Sequence, residues 1–342
     1  MKALITGGAG FIGSHLADYL VRAGHHVTIL DDLSTGRLEN VRALEGHPAF
    51  ACRIGSVTDE RTVAEVMSEA DVVFHLAAAV GVFLVVQSPV RTIETNVLGT
   101  EIILRQAAAH GRKVILASTS EVYGKSPKVP YSEGDDLVMG PTTVGRWSYA
   151  SSKAIEEFLA RAYWQEKRLP VVIVRPFNVV GPRQTGQYGM VLPRFIGQAL
   201  RGGPITVYGE GRQTRCFSHV RDVVDVFVRL AEHPAAVGEV YNVGTDSEIS
   251  IKDLALRVVA LAKTGAAIQF IPYDAAYGEG FEDLQRRVPD LRKIRAAIGY
   301  QPRVRLDDII LELLELGRAQ VEHKGPTIQQ SHTNPRQPGP LR

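Results

Sequence analysis

A cluster of glycines between an apolar run and a helical pattern constrains this chain most. Thr6-Gly7-Gly8-Ala9-Gly10-Phe11-Ile12-Gly13 follows the apolar residues 2–6 and opens the segment 11–23. There Phe11, Ile12, Leu16, Leu20 and Val21 recur on one helical side. Glycines at 7, 10 and 13 permit a tight strand-to-helix turn. Its backbone can approach a pyrophosphate, and the helix N-terminus faces the anion. The spacing differs by one residue from the commonest dinucleotide fingerprint, and a turn without ligand is the plainer alternative. Gly24 stops the helix, and 27–30 is a second apolar strand that ends at Asp31-Asp32.

The strand–helix alternation repeats. Residues 58–70 predict a helix before a strand at 72–76, 92–110 a helix before 114–117, and 149–167 a helix before 171–174. Continuous apolar strands separated by helices predict an α/β fold with a doubly wound, Rossmann-like parallel sheet. After Phe177 the pattern changes: a loop at 181–186, helices at 191–201, 220–231 and 250–262, and strands at 205–208 and 239–243. Ser250 is a plausible N-cap for the last helix. The expected organisation is a dinucleotide-binding domain at 1–177 and a smaller C-terminal α/β substrate domain at 178–322, partly interleaved with the first. The Pro-rich, polar segment 323–342 is expected to be a disordered tail.

Composition narrows the function classes. The chain has 342 residues with a net charge of +2, which gives no global field for nucleic acid or an anionic membrane. An anionic substrate must therefore be held by local arginines. Cys52 and Cys216 are far apart, and free thiols in a reducing compartment are expected rather than a disulfide. The ten histidines show no zinc-ligand spacing, so no metal is expected. The most apolar stretch, 72–86, is shorter than the roughly 20 residues that cross a bilayer, and His75 and Gly81 interrupt it. Met1-Lys2 runs straight into the first strand, so neither a leader nor a membrane span is expected, and the protein is expected in the cytoplasm.

Tyr149 and Lys153, in Ser148-Tyr149-Ala150-Ser151-Ser152-Lys153, stand four apart on one helical face. An ammonium beside a phenol favours the phenolate. Such a pair can take a proton from a sugar hydroxyl while a nicotinamide takes the hydride. Alone it is as readily a solvated pair; following the glycines, it points to redox chemistry on a hydroxyl. Asp31 ends the second strand, where a carboxylate can bind an adenosine ribose and repel a 2′-phosphate. With Asp32 it favours NAD over NADP, although Arg37 is nearby; an Asp is also a common turn residue. Ser118-Thr119-Ser120-Glu121-Val122-Tyr123-Gly124 falls at the carboxyl end of the sheet, where such folds bind ligands. Thr119 is a candidate hydrogen-bond partner of the reacting hydroxyl and Glu121 a candidate acid or base.

Together these segments resemble the extended short-chain dehydrogenase/reductases that modify nucleotide sugars. The markers are residues 6–13, Leu30-Asp31-Asp32-Leu33-Ser34-Thr35-Gly36, His75-Leu76-Ala77-Ala78, Asn96, residues 118–124, Tyr149 with Lys153, and Arg175-Pro176-Phe177-Asn178. The resemblance implies a tightly held NAD against Gly7, Gly10, Phe11, Ile12, Gly13, Asp31, Asp32, Ser56, Val57, Leu76, Ala77, Asn96, Tyr149 and Lys153. It implies Tyr149 as base, Lys153 lowering its pKa and binding the nicotinamide ribose, and Thr119 near the sugar 4-hydroxyl. It further implies Asn178 on the substrate's phosphate or sugar, Tyr208 packed on the base and Arg215 on the diphosphate. As a purely structural residue Arg215 would be a surface ion pair. The chain departs from the family at Gly55-Ser56-Val57, where an Asp often contacts adenine; Ser56 leaves adenine to a weaker or backbone contact. The family commonly dimerises through a four-helix bundle, so a homodimer through the 92–110 and 149–167 helices is expected, unless their apolar residues pack on the sheet.

The resemblance also implies a shared first step, hydride transfer from sugar C4 to NAD. An epimerase returns hydride to the other face. A dehydratase removes the C5 proton and the C6 hydroxyl. A uronate decarboxylase loses CO2 from the β-keto acid formed. Simple 4-epimerases usually lack an acidic residue at the Glu121 position. The 118–124 stretch resembles the UDP-glucuronate decarboxylases, and 145–149 and 277–281 resemble the decarboxylase domain of the aminoarabinose pathway. Dehydratases share Thr-x-Glu, but the GDP-mannose type prefers NADP and the thymidine-diphosphate type normally has Asp in place of Ser120. Decarboxylation of UDP-glucuronate is the first expectation. Beside it stands 4-epimerisation of a UDP-hexose or UDP-hexuronate, because 31–36 is epimerase-like. A nucleotide-sugar 4,6-dehydratase and a non-catalytic NAD-binding regulator are further alternatives; retention of Thr119, Tyr149 and Lys153 argues against the last.

Overall fold

The computed structural model describes residues 1–81, 88–186, 190–277 and 284–324. The apolar runs become parallel strands: β1 (Lys2–Thr6), β2 (His26–Asp31), β3 (Phe50–Ile54), β4 (Val72–His75), β5 (Lys113–Ala117) and β6 (Val171–Pro176). Four short strands follow, β7 (Val179–Val180), β8 (Ile205–Tyr208), β9 (Thr214–Cys216) and β10 (Ser218–His219). The next, β11 (Val240–Val243), returns to the first sheet and pairs with β6, Val240 opposite Ile173. The sheet has seven strands in the order β11-β6-β5-β4-β1-β2-β3.

Alternation along each strand divides the core into two layers. Ile5, Ile29, Phe74, Ile115 and Val172 face the layer that contains Leu16, Leu20, Val223 and Phe227. Those four belong to helices Phe11–Arg22 and Val220–Glu232. Leu4, Leu30, Val73, Val114 and Ile173 face the opposite layer, with Val63, Ile103, Ala107 and Ala160. That layer is built by helices Glu60–Ser68, Gly99–His110 and Trp147–Lys167. Central strands are covered on both faces and so read as unbroken apolar runs. The sequence order reverses at β1 and β4, so the loops after these strands diverge and open a crevice at their carboxyl ends.

The helix expected at 92–110 starts earlier, at Pro89–Ile93, and passes through a π-helical turn, Glu94–Leu98, before Gly99–His110. Proline suits a first helical turn because it has no N–H to lose there. A third core joins Phe195, Ile196, Leu254, Val258, Ile309 and Leu314, from helices Val191–Leu200, Ile251–Ala262 and Leu306–Lys324. The Ser250 hydroxyl accepts the Asp253 N–H at 2.9 Å and caps the second of these helices. Strand β12 (Glu248–Ser250) runs antiparallel to β9, β13 (Ile268–Ile271) pairs with β8, and β14 (Arg286–Arg287) pairs with β9. Of the expected tail, residues 325–342 lie outside the described residues, as does most of the apolar loop after Gly81. Among the described residues no helix is long and apolar enough to cross a membrane, and Cys52 and Cys216 are both free.

Helix Trp147–Lys167 is bolted to the sheet by a buried ion pair. Arg175 on β6 donates from Nη2 to Glu157 Oε2 at 2.6 Å and from Nε to Oε1 at 2.9 Å. The Ser118 hydroxyl, just beyond β5, donates to the same carboxylate. Arg175→Met strands a buried carboxylate and is expected to lower stability by about 3–5 kcal/mol. This is read as a fall in the urea midpoint at constant m. Adding Glu157→Gln to Arg175→Met should recover part of the loss.

Candidate active site

The crevice at the strand ends holds a cavity of about 370 Å³. Its floor at one end is the glycine turn. An added Cβ on Gly13 would lie 2.2 Å from the Gly7 carbonyl oxygen, and Gly7 itself takes φ +69°. No side chain fits at Gly13, and the backbone is left open to the cavity, as a pyrophosphate cradle requires. Gly10, Phe11 and Ile12 line the same end. Asp31 closes it from β2. Its carboxylate accepts the Ala9 N–H at 2.9 Å and the Leu33 N–H at 2.8 Å, so it also holds the turn in shape. Burial raises the Asp31 pKa, and these N–H groups oppose the rise. Asp32 lines the cavity too, with the Arg91 guanidinium 3.8 Å away. Arg37 is exposed and does not line it.

Gly55, Val57, Leu76 and Ala77 form the wall between this end and the far one. At the far end Thr119, Glu121, Tyr149, Lys153, Asn178 and Arg287 come together. The 3-10 turn Ser120–Tyr123 is capped by Thr119, whose hydroxyl accepts the Glu121 N–H at 3.2 Å. Helix Trp147–Lys167 presents Tyr149 and Lys153 one turn apart. Thr119 neighbours the Tyr149 phenol and acts to lower its pKa. Asn178, at φ +36°, donates from Nδ2 to the Cys216 carbonyl at 3.1 Å. This set can hold a dinucleotide along the glycine turn and remove a proton from a hydroxyl beside Tyr149. Among the described residues no group of His, Cys, Asp or Glu side chains could hold a metal ion.

The charges beneath Tyr149 are paired among themselves. Lys153 is drawn to Glu156, its Nζ 2.7 Å from Oε2. The Tyr149 phenol is raised well above its ordinary pKa, first by burial, then by the charges of Glu121 and Glu156, while Thr119 and Arg287 work the other way.

Four predicted residues do not line the cavity. The Ser56 hydroxyl turns to Thr58, 2.8 Å from its Oγ1. Asn96 is buried behind the wall, accepting the Ala79 N–H at 2.8 Å and donating to the Ser152 hydroxyl at 3.0 Å. It braces the wall against the Tyr149 helix. Tyr208 is covered by the Arg194 guanidinium, 4.1 Å from the ring centre. Arg215 is buried and donates to the Leu284 carbonyl at 2.7 Å. Most of the 277–281 stretch lies outside the described residues. In the other direction, sequence reasoning missed Arg287. It reaches the cavity from β14 and donates to Glu121 at 3.3 Å, and its Nε is buried without a partner among the described residues. The only available signal was a pair of arginines, 286–287, following a loop.

The family described as GDP-mannose 4,6 dehydratase matches residues 4–313. The UDP-N-acetyl-alpha-D-glucosaminuronate decarboxylase of Bacillus cytotoxicus is 42% identical over 92% of this chain and 97% of its own length. The UDP-glucuronic acid decarboxylase 1 of Xenopus tropicalis is 36% identical over 94% of this chain and 73% of its own. Among solved structures, the dTDP-glucose 4,6-dehydratase DesIV of Streptomyces venezuelae, with NAD and TYD bound, superposes with a TM-score of 0.84. It is 28% identical, and the match covers 93% of this chain and 97% of that one.

Gly13→Ala places a methyl group against a backbone carbonyl under the glycine turn. The variant is expected to bind NADH at least about tenfold more weakly, a loss of about 1.4 kcal/mol, in a fluorescence titration. Urea unfolding should remain a single transition.

Proposed function

The chain belongs to the GDP-mannose 4,6 dehydratase family of extended short-chain dehydrogenase/reductases, and on that premise we propose that it is an NAD-dependent decarboxylase of a UDP-linked hexuronate, with UDP-glucuronate the first candidate. The observation that carries the reading is Arg287. Its guanidinium lies in the same cavity as Thr119 and Tyr149, is engaged there by Glu121, and keeps a buried N–H free of partners among the described residues. A guanidinium fork suits a carboxylate, and leaving its buried N–H unpaired is costly. A uronate carboxylate meets that need with a charged, two-oxygen acceptor, where a hexose hydroxyl offers one neutral oxygen. This favours decarboxylation over 4-epimerisation of a hexose.

NAD, when bound, supplies a two-electron acceptor that returns hydride, and a ring charge that favours a phenolate. Gly7, Gly10 and Gly13 leave room for its pyrophosphate, and Asp31 and Asp32 would repel a 2′-phosphate. Tyr149 takes the proton of the sugar C4 hydroxyl, and Thr119 orients that exchange. With a ketone at C4 the C5 carboxylate is a β-keto acid and leaves as CO2. C5 then takes a proton, and Glu121 is the carboxyl of the cavity placed to manage it. The acetamido uronate named for the Bacillus cytotoxicus relative is the second substrate reading, favoured by its higher identity. Asn178 remains the residue assigned to the substrate's phosphate or sugar. Tyr208 is assigned to the base and Arg215 to the diphosphate.

A homodimer accompanies this reading. Val90, Ile93 and Leu98 on one helical segment, and Ile155 and Phe158 on helix Trp147–Lys167, are exposed apolar side chains; Val90 and Phe158 are each 67% exposed. Apolar side chains on two adjacent helices suit burial against a second copy. A cytoplasmic location fits the two unpaired cysteines.

Incubation with UDP-glucuronate and UDP-N-acetylglucosaminuronate separates the readings. CO2 release and a pentose-level product are expected with one or both. A product of unchanged mass would instead make the protein an epimerase. Tyr149→Phe should lower turnover by at least about a hundredfold, and Glu121→Gln should slow CO2 release; unchanged turnover in Glu121→Gln would remove the argument from C5 chemistry.

A further inference from the structure

Glu156 has no role in the chemistry above, yet it is fully buried and points at the site's lysine. A carboxyl in the interior is tolerated when an opposite charge and hydrogen bonds compensate it. Here Lys153 Nζ donates to Oε2 at 2.7 Å, three residues away on the same helix, and both side chains are almost wholly buried. The second oxygen, Oε1, is buried, and the Thr100 hydroxyl faces it without closing a well-formed hydrogen bond.

Among the groups packed around this pair, the neighbouring Glu157 carboxylate raises Glu156 further, and the others are uncharged or already paired. From β4, His75 is held between Thr6 Oγ1 at 2.7 Å and Thr100 Oγ1 at 2.9 Å. Burial and the Lys153 charge push His75 down to about 3, so it contributes no charge near neutral pH. From helix Gly99–His110 the facing group is Thr100, and from the π-helical turn it is Asn96, both uncharged. From β6, Arg175 is spent on Glu157. From the 3-10 turn, Glu121 is paired with Arg287. Among the described residues Lys153 is the cation that opposes Glu156, and the Tyr149 phenol, one turn before Lys153, feels the Glu156 charge.

We propose that Glu156 is a positioning residue for the Lys153 ammonium: its buried carboxylate holds Lys153 and offsets its charge, and so sets the pH at which Tyr149 can act as base. The inference rests on the C4-oxidation reading. An ionised Glu156 raises the phenol and so opposes the lysine there. A protonated Glu156 leaves the ammonium uncompensated beside Tyr149 and favours the phenolate. Burial lifts the Glu156 carboxyl to about 7 against the opposing pull of Lys153, which puts the exchange within the working pH range.

The test uses NAD-loaded wild-type protein, Glu156→Gln and Glu156→Met. Two quantities are measured against pH: the phenolate ultraviolet absorbance that disappears in Tyr149→Phe, and kcat/KM for UDP-glucuronate. Both charge-removing variants should move the Tyr149 phenolate midpoint to lower pH by about one unit. The acid limb of kcat/KM should move with it while KM is unchanged. A midpoint that stays in place in both variants, or a uniform loss of turnover at every pH with no shift, overturns the proposal and reduces Glu156 to a packing residue. Absence of CO2 release by the wild-type protein, with the phenolate shift intact, faults the substrate assignment and not the pairing.

Discussion

The Glu157–Arg175 pair is the interaction on which the geometry of the site depends. One carboxylate takes two N–H bonds from β6 and a hydroxyl bond from the end of β5, and it sits on the helix that carries Tyr149 and Lys153. The Arg175 guanidinium also covers the Tyr123 ring, 4.8 Å from its centre. Tyr123 stacks on Tyr131 at 4.6 Å and donates to Asn242 on β11 at 2.7 Å. Helix, three strands and the loop that bears Thr119 and Glu121 thus share one rigid joint. Such a pair adds little net stability when complete, because both ions lose water. What it supplies is a single permitted seating for the helix.

Burial organises the chemistry and also opposes it. The dry floor beneath the cavity raises Tyr149 and Glu156 and lowers His75, each away from its charged form. Specific neighbours oppose these shifts: Thr119 and Arg287 for the phenol, Lys153 and Thr100 for the Glu156 carboxyl. A cofactor's positive charge and a substrate's carboxylate both enter a site whose charges are already committed in pairs, Lys153 to Glu156 and Arg287 to Glu121.

The sequence made the parallel sheet and the glycine turn legible because both rest on local pattern: unbroken apolar runs, helical periodicity and three spaced glycines. It also placed Thr119, Glu121, Tyr149 and Lys153 in one cavity, because all four follow strand ends on the side where the sheet binds ligands. The misses come from contacts between residues distant in the chain. Arg287 reaches the cavity through a parallel pairing of β14 with β9, which no local pattern announces. Asn96 carries a family marker but spends its amide on the Ala79 backbone and Ser152, and Ser56 folds back on Thr58. For Glu156 a signal existed, since carboxyls three and four residues after Lys153 lie on its helical face. Which of the two takes the lysine depended on Arg175, contributed by a strand some twenty residues later, already holding Glu157.

The return of β11 to the large sheet bears on how the molecule is made. Its partner β6 ends at Pro176, whereas β11 begins only at Val240. During synthesis, β6 emerges from the ribosome long before the strand that covers its free side. Until then a nascent chain carries a hydrophobic parallel edge with unpaired backbone groups, a template for wrong pairing. A fragment that stops near residue 177 would keep that edge permanently, so the nucleotide-binding half is ill suited to excision or to grafting as a stand-alone module.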